Sequence, residues 1–438
     1  MLDTSADNIF PPSECHSMNH LQTVGFQKLT RVDTALRILF DAVGERAIRL
    51  ESLPVQRALG RYLGKDIVAD QYLPRADRSV MDGYAARVED VKSASQELPV
   101  ILRVIGESRL GAKPRMYVGR GEAVAIATGS LVPSGANTVI MVERTTKLAP
   151  SSIAVHAPAT AGQSIARKGE DVVPGAVVLG KGALLRPQDI GMLKALGLAK
   201  VCVARKPHVA VLSTGDELVN SSSKRNVAKV VDINRAMLSS MLQELGADAV
   251  DLGIFRDREA SIKTALKKGL KTCDAVIVSA GSSVGNRDLV PKCVNSLGKP
   301  GMLVHGVAMR PAMPTGLALV NGKPVFSLPG FPVSAFFAFR TFVRPIIAKM
   351  LGVKELFEST ANAVLSETIT GIPGNLTYVR VVVRQNGQGL IAEPFKLQRS
   401  SVLMSMVRAN GIVTIPEEVT AIERGETVKV TLIGEILP

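Results

Sequence analysis

Three acidic residues stand just beyond short apolar runs: Glu217 in STGDEL, Asp257 in FRD and Asp288 in SAGSSVGNRD. If those runs are strands of one parallel sheet, their carboxylates collect along one edge, where they could hold Mg²⁺ against a pyrophosphate. The stretch from Asp274 to Asp288 is the fullest of the three. Ala275-Val276-Ile277-Val278 reads as a buried strand, and Ser279, Gly281, Ser282, Ser283 and Gly285 follow it. Glycines there let backbone N–H groups approach an anion closely, and Leu289 would begin the next helix. Ser282, Ser283 and Gly285 are therefore candidate phosphate contacts, with Asp288 beside them. A plainer alternative fits each piece alone: Asp216, Glu217 and Asp257 as helix caps or solvated charges, and the Gly/Ser loop as turn chemistry.

Other segments could join that edge. Phe326-Ser327 runs into Leu328-Pro329-Gly330-Phe331-Pro332-Val333-Ser334, another strand leading to a loop and a helix. Earlier in the chain, Ser79-Val80-Met81-Asp82-Gly83-Tyr84-Ala85 sets an Asp-Gly turn beside an aromatic. Ala127-Thr128-Gly129-Ser130, through Pro133 and Gly135, leads into a Val-Ile-Met strand ending at Glu143. Both also read as ordinary turns, since Asp-Gly and Pro-x-Gly are common turn pairs.

The elements that must position these residues follow from periodicity. Leu29 to Val43 has helical spacing. From about Glu51 to Glu143 the chain turns to Gly, Pro and short Val/Ile runs, which predicts a small β-barrel-like domain. Short strands continue through residues 151–205, with a helix from Pro187 to Leu196 and a strand from Lys200 to Ala204. From Lys206 the rhythm is β-α-β: strands Val209–Leu212, Ala249–Ile254 and Pro324–Leu328, a helix capped by Asn234, another from Arg258 to Leu270, and a long one from Pro332. That alternation predicts a doubly wound, mostly parallel α/β sheet. After Gly352 strands return (Asn362–Glu367, Thr377–Arg384, Gly411–Ile415, Thr427–Leu432), so a small β domain should close the chain.

Composition narrows the function classes. The 438 residues suggest roughly three or four domains, and 46% hydrophobic content is ample for real cores. A formal net charge of +14 favours anionic partners, phosphorylated metabolites or oxyanions among them. The basic residues are scattered, Trp is absent and Tyr scarce, which argues against nucleic-acid binding. Cys15, Cys202, Cys273 and Cys293 form no C-x-x-C pair, so neither a disulfide framework nor a zinc site is expected, and a reducing cytoplasm is the natural home. The first 25 residues read as a flexible polar tail without a signal peptide's apolar core, despite the Cys15, His16 and His20 grouping. Ser334 to Leu351 is apolar but interrupted by Arg340, Arg344 and Pro345, a buried helix and not a membrane span.

The order of the motifs is more specific than any one of them. SVMDGYAAR, IATGSLVPSGANTVIMVE, STGDEL, FRD, SAGSSVGNRD and LPGFPVSA resemble the successive signatures of the molybdopterin molybdenumtransferase family, which is MoeA-like and includes the C-terminal part of gephyrin. The resemblance runs from Phe26 to the C-terminus. It implies a multidomain α/β plus β chain: an elongated discontinuous domain (26–50 and 150–205), a β-barrel-like domain (51–149), a doubly wound molybdopterin-binding α/β domain (206–352) and a C-terminal β domain (353–438). It further implies a homodimer whose active site is shared between subunits, and insertion of molybdate into adenylylated molybdopterin with release of AMP. The family's catalytic positions fall on Asp82, Thr128, Glu217, Asp257 and Asp288, its substrate crevice includes Ser334, and Mg²⁺ would be held by Glu217, Asp257 and Asp288. A molybdopterin adenylyltransferase that hands over its product is the partner the family implies.

The sequence departs from the family in one stretch. Where members usually carry M-K-P-G-K-P, this chain has Met309-Arg310-Pro311-Ala312-Met313-Pro314. Arg310 keeps a charge and could grip phosphate bidentately. Met313 loses a cation and Ala312 loses glycine's backbone freedom, and Phe331 stands where many members have Asn. These changes keep alternatives open: a tungstate-preferring paralogue, or a non-catalytic scaffold that holds the pterin. A third reading, a molybdopterin adenylyltransferase, conflicts with the additional β domains.

Overall fold

The computed structural model describes residues 29–220, 228–280, 289–354, 356–387 and 389–438. Two compact units divide the chain: Leu50–Val203 is one, and the described residues up to Arg49 join those from Ala204 to Pro438 in the other.

In the Leu50–Val203 unit, six strands form an open, barrel-like sheet. Their order is Thr138–Met141, Gly83–Ala86, Glu122–Ile126, Val100–Ser108, Ser152–Val155 and Thr145–Ala149. Its core holds Ala86, Val91, Leu102, Ala123, Ile140, Ile153 and Val155. Residues that precede and follow this sheet in sequence pair with each other. Ile67–Val68 joins Val177–Leu179 and Arg78–Ser79 joins Ile165–Ala166, both antiparallel. A second core gathers Val55, Ala58 and Leu63 with Leu185, Leu193, Val201 and Val203.

This grouping differs from the expected boundaries. Residues 55–79 pack with 165–203, outside the six-stranded sheet, and the strands of 145–155 belong within it. The first helix, Val32–Val43, packs instead on strands Pro300–His305 and Gly316–Val320 of the other unit, burying Val32, Ala35, Leu39 and Val43. The Gly/Pro-rich composition that suggested a boundary marks where the chain crosses between units. Which core each flank enters is decided by long-range pairing, which composition does not carry.

The central sheet of the larger unit has the order Asp248–Phe255, His208–Thr214, Ala275–Ala280, Lys323–Pro329, Gly316–Val320, Pro300–His305. The first four are mutually parallel, as expected. The last two are antiparallel additions that the sequence reading did not identify. Helix Glu259–Thr272 buries Ile262, Ala265, Leu266 and Gly269 against this sheet, at the i, i+3, i+4, i+7 positions of one face. Gly269 permits the close approach, since a Cβ there would lie 3.0 Å from Ala210 and Val276 side-chain atoms.

After the long helical stretch, whose middle (Phe339–Val343) is π-helical, the C-terminal strands close on themselves. Leu376–Asn386, Gly389–Pro394, Thr360–Leu365, Thr427–Leu432 and Gly411–Ile415 pair in turn, and the last pairs back with the first, giving a five-stranded barrel. Met309–Arg310 adds to it in parallel, Arg310 opposite Thr377, and so ties the α/β sheet's chain to the barrel. Among the described residues, no helix is long and apolar enough to cross a membrane.

Candidate functional site

The parallel register fixes where the strand ends lie. Phe255 and Ala280 both pair with Thr214, and Pro329 pairs with Ala280, so four carboxyl ends finish level. From His208–Thr214 the chain crosses outward to Asp248–Phe255, then back to Ala275–Ala280 on the other side. Successive crossovers leave in opposite directions there, which opens a crevice beyond the strand ends. A cavity of about 440 Å³ occupies this place, lined by Thr214, Glu217, Asn234, Ser279, Gly330 and Phe331 among others.

Asn234 does not cap its helix, contrary to expectation. Arg235 N–H is instead received by the Asp232 carboxylate at 3.2 Å. The Asn234 amide reaches across the crevice floor, donating to Ser279 Oγ at 2.9 Å and to Gly330 O at 2.8 Å. It therefore joins the end of strand Ala275–Ala280 to the loop after strand Lys323–Pro329, and its buried Oδ1 has no partner among the described residues. An unpaired buried amide oxygen costs about 1–3 kcal/mol, a cost that a ligand N–H at this spot would remove.

A second cavity, about 690 Å³, lies between the sheet and the C-terminal barrel. Arg310, Met313, Ser334, Thr377, Tyr378 and Lys396 contribute to its wall. Ser334 is 5% exposed in the first turn of helix Pro332–Ala338. The Arg310 Nε is buried and has no partner among the described residues. Ala312 adopts φ +97°, a backbone conformation in which glycine is favoured, so the family's usual residue fits this backbone better than the one present. Phe331 lines both cavities.

Beside the second cavity lies Arg380, in strand Leu376–Asn386. It is 0% exposed, and its Nε and Nη1 find no partner among the described residues. Its backbone is tied to Gln398 by hydrogen bonds of 3.1 and 3.0 Å. Burial alone pulls the guanidinium well below its ordinary value, to about 10.

In the other unit, the Asp82 and Thr128 motifs meet directly. Asp82 Oδ1 accepts the Thr128 backbone N–H at 2.6 Å and its hydroxyl at 2.8 Å. Those bonds, the backbone one foremost, hold the Asp82 carboxyl below its ordinary value. The two turns are braced on each other: Ser79 N donates to Ser130 O at 2.9 Å and Gly129 N to Ser79 O at 2.8 Å. Gly83 is required by packing, since a Cβ there would lie 1.9 Å from the Ile140 carbonyl oxygen.

The predicted residues thus fall into groups. Glu217 lines the first cavity, Arg310 and Ser334 line the second, and Asp82 and Thr128 form a pair. Asp257 is exposed on the loop after Phe255, on the same sheet edge but outside the first cavity's lining. Ser282, Ser283, Gly285 and Asp288 lie outside the described residues. Among the described residues no three His, Cys, Asp or Glu side chains gather as a metal group. Sequence reasoning missed Asn234, read as a cap, and Arg380, whose signal was a lone cation inside the run Tyr378-Val379-Arg380-Val381-Val382-Val383.

Known proteins cover this arrangement domain by domain. Residues 30–197 match the MoeA N-terminal region (domain I and II), 210–349 a probable molybdopterin binding domain, and 362–433 the MoeA C-terminal region (domain IV). The chain belongs to the MoeA family. A MoeA-family relative, the Bacillus subtilis molybdopterin molybdenumtransferase, is 34% identical over 409 residues, covering 92% of this chain and 94% of the relative. Molybdopterin molybdenumtransferase 2 of Mycobacterium tuberculosis is 33% identical over 389 residues, covering 88% and 95%. Among solved MoeA-family structures, the molybdopterin biosynthesis MoeA protein of Pyrococcus horikoshii superposes with a TM-score of 0.80 at 36% identity, covering 92% of this chain and 100% of that one.

Proposed function

We propose that the chain is a molybdopterin molybdenumtransferase of molybdenum cofactor biosynthesis. It would insert molybdate into adenylylated molybdopterin and release AMP and molybdenum cofactor. The observation that carries this reading is the pair of cavities meeting at Phe331, one at the switch point of the sheet and one walled by Arg310 and Lys396. A switch-point crevice suits a phosphorylated pterin, and a cationic neighbour suits an oxyanion.

In this mechanism Asn234 and the strand-end loops orient the pterin, while Arg310, with its free buried Nε, and Ser334 hold the anion. Arg380, buried beside that cavity with two unpaired donors, keeps the region electropositive. A molybdate oxygen attacks the adenylyl phosphorus, forming a P–O bond as the pyrophosphate P–O bond breaks toward the pterin phosphate. The two dithiolene sulfurs then bind molybdenum as its bond to that oxygen breaks, so AMP leaves with the oxygen, and a second molybdate oxygen leaves as water with the two thiol protons. No covalent nucleophile from the protein is needed. Mg²⁺ ordinarily takes one or two carboxylates together with substrate phosphates; Glu217, with Asp257 and Asp288, would supply the carboxylates, and the ion they hold would offset the charge of the pyrophosphate. Asp82 and Thr128 would complete the site in trans within a homodimer. We place the reaction in the cytoplasm, downstream of an adenylyltransferase partner.

The test is release of AMP from adenylylated molybdopterin on addition of molybdate and Mg²⁺. Asp288→Asn should abolish it, and unchanged release in that variant would refute the assignment. Tight pterin binding without any AMP release would favour the scaffold alternative, to which the apolar Met313 in the cavity wall points.

A further inference from the structure

A third hollow lies at the opposite edge of the central sheet, where the parallel strands begin. It encloses about 350 Å³, and its wall includes Arg46, Arg49, Arg205, Lys323 and Lys349. Asp274, just before strand Ala275–Ala280, is the sole carboxylate of that lining. It is already shared: Arg49 Nη1 donates to it at 2.6 Å, Arg205 Nη2 at 2.7 Å and the His208 N–H at 2.9 Å. Glu45 stands 4.0 Å from Lys349 with a fully solvated side chain, outside the hollow.

Five cations thus face one carboxylate, and several are not freely hydrated. The side chains of Arg205 and Lys349 are 30% and 21% exposed. Lys349 sits 5.3 Å from the Phe40 ring centroid, and Lys323 Nζ donates to Leu270 O in the last turn of helix Glu259–Thr272. Arg46 is partly buried, and that burial pushes its guanidinium below the ordinary value; Asp274 opposes the effect and Arg49 adds to it. Holding cations this close is unfavourable unless an anion joins them, and guanidinium forks beside ammonium groups suit phosphate oxygens.

We propose that this hollow binds a phosphate-class dianion, either free phosphate or the phosphomonoester end of a small metabolite. Its volume falls in the range of small-molecule sites. The ligand would pin Arg49 and Arg205, which flank the two points where the chain leaves and re-enters this unit. The site therefore has the placement of an effector site, and it does not depend on the transferase reading.

The test is thermal unfolding of the full chain in inorganic phosphate and in ribose 5-phosphate, each against chloride at equal ionic strength. The midpoint should rise in wild type and in Arg310→Gln, which spares this hollow. In Arg46→Gln/Lys323→Gln the rise should vanish, with binding weakened about tenfold or more. A stronger response to ribose 5-phosphate identifies a phosphomonoester, and an equal one identifies free phosphate. Should the double variant fold poorly, phosphate protection of Arg46 from phenylglyoxal, read by mass spectrometry on wild type, replaces it. A full rise in the double variant, or neither a rise nor protection in wild type, overturns the proposal.

Discussion

Arg380 carries a charge that no described residue pairs, and replacing it separates stability from function. Its guanidinium is 0% exposed; among the described residues Nε and Nη1 have no partner, and Nη2 reaches Leu397 O at 3.5 Å. Its drop from the ordinary guanidinium value to about 10, at about 1.36 kcal/mol per pH unit, corresponds to an opposing free energy of about 3 kcal/mol. The sign follows from linkage: the charged form is disfavoured in the folded state. The cost is therefore fully present below about pH 10 and fades only as pH rises from there toward the ordinary guanidinium range. Arg380→Met keeps the length and removes the charge, so it should stabilise the chain by about 1–3 kcal/mol, as hydrophobic replacement of buried ions often does. Urea unfolding at neutral pH measures this, the midpoint rising with little change in slope. AMP release should fall in the same variant, because an unpaired buried cation beside the second cavity favours an anion there. A clear loss of stability in Arg380→Met, with secondary structure intact, would falsify the reasoning.

Four further outcomes follow from the geometry. Thr128→Val removes one of two donors to Asp82, so the carboxyl, followed by NMR titration, should titrate at higher pH than in wild type; an unmoved titration would contradict the pairing. Because the pairing lowers the folded value, the stability it adds is present above the unfolded carboxyl range and lost as pH falls through the folded value, so the two proteins should converge in acid. Gly83→Ala would drive a Cβ to 1.9 Å from the Ile140 carbonyl oxygen, and calorimetry should register a loss on the order of 3 kcal/mol. Ala312→Gly relieves φ +97°; strain of about 1–3 kcal/mol, less the entropy of a freer unfolded glycine, leaves a net gain near 1 kcal/mol in urea unfolding. Met313→Lys adds a cation to a wall residue that is 8% exposed. It should tighten molybdate binding in equilibrium titrations while lowering stability, and unchanged affinity would exclude Met313 from the anion's surroundings.

The parallel part of the fold was legible because its strands are short apolar runs that end in polar loops. Val209–Leu212 and Pro324–Leu328 were placed within a residue or two of the observed strands, and Gly411–Ile415 and Thr427–Leu432 coincide with theirs. The antiparallel strands Pro300–His305 and Gly316–Val320 went unread, since Gly, Pro and Thr between them resemble loop chemistry. The strain at Ala312 could be anticipated, because a glycine was missing from a stretch where the resemblance called for one. Asn234 could not be read correctly from its neighbours. A polar residue opening a helix looks like a cap, and only the assembled sheet brings Ser279 and Gly330 within its reach. The Asp82–Thr128 pair was expected as a functional set, but its hydrogen bonds depend on strand register that no local pattern specifies.

Phe331 borders both cavities at the sheet edge, so one residue belongs to two walls at once. Thermodynamic reciprocity then constrains whatever occupies them. If a guest in one cavity turns or presses this ring, the factor by which it changes affinity for the second guest must equal the factor felt in reverse. Discrimination between similar oxyanions on one side of the ring would therefore be registered as a difference in grip on the pterin side, with no direct contact between the two guests.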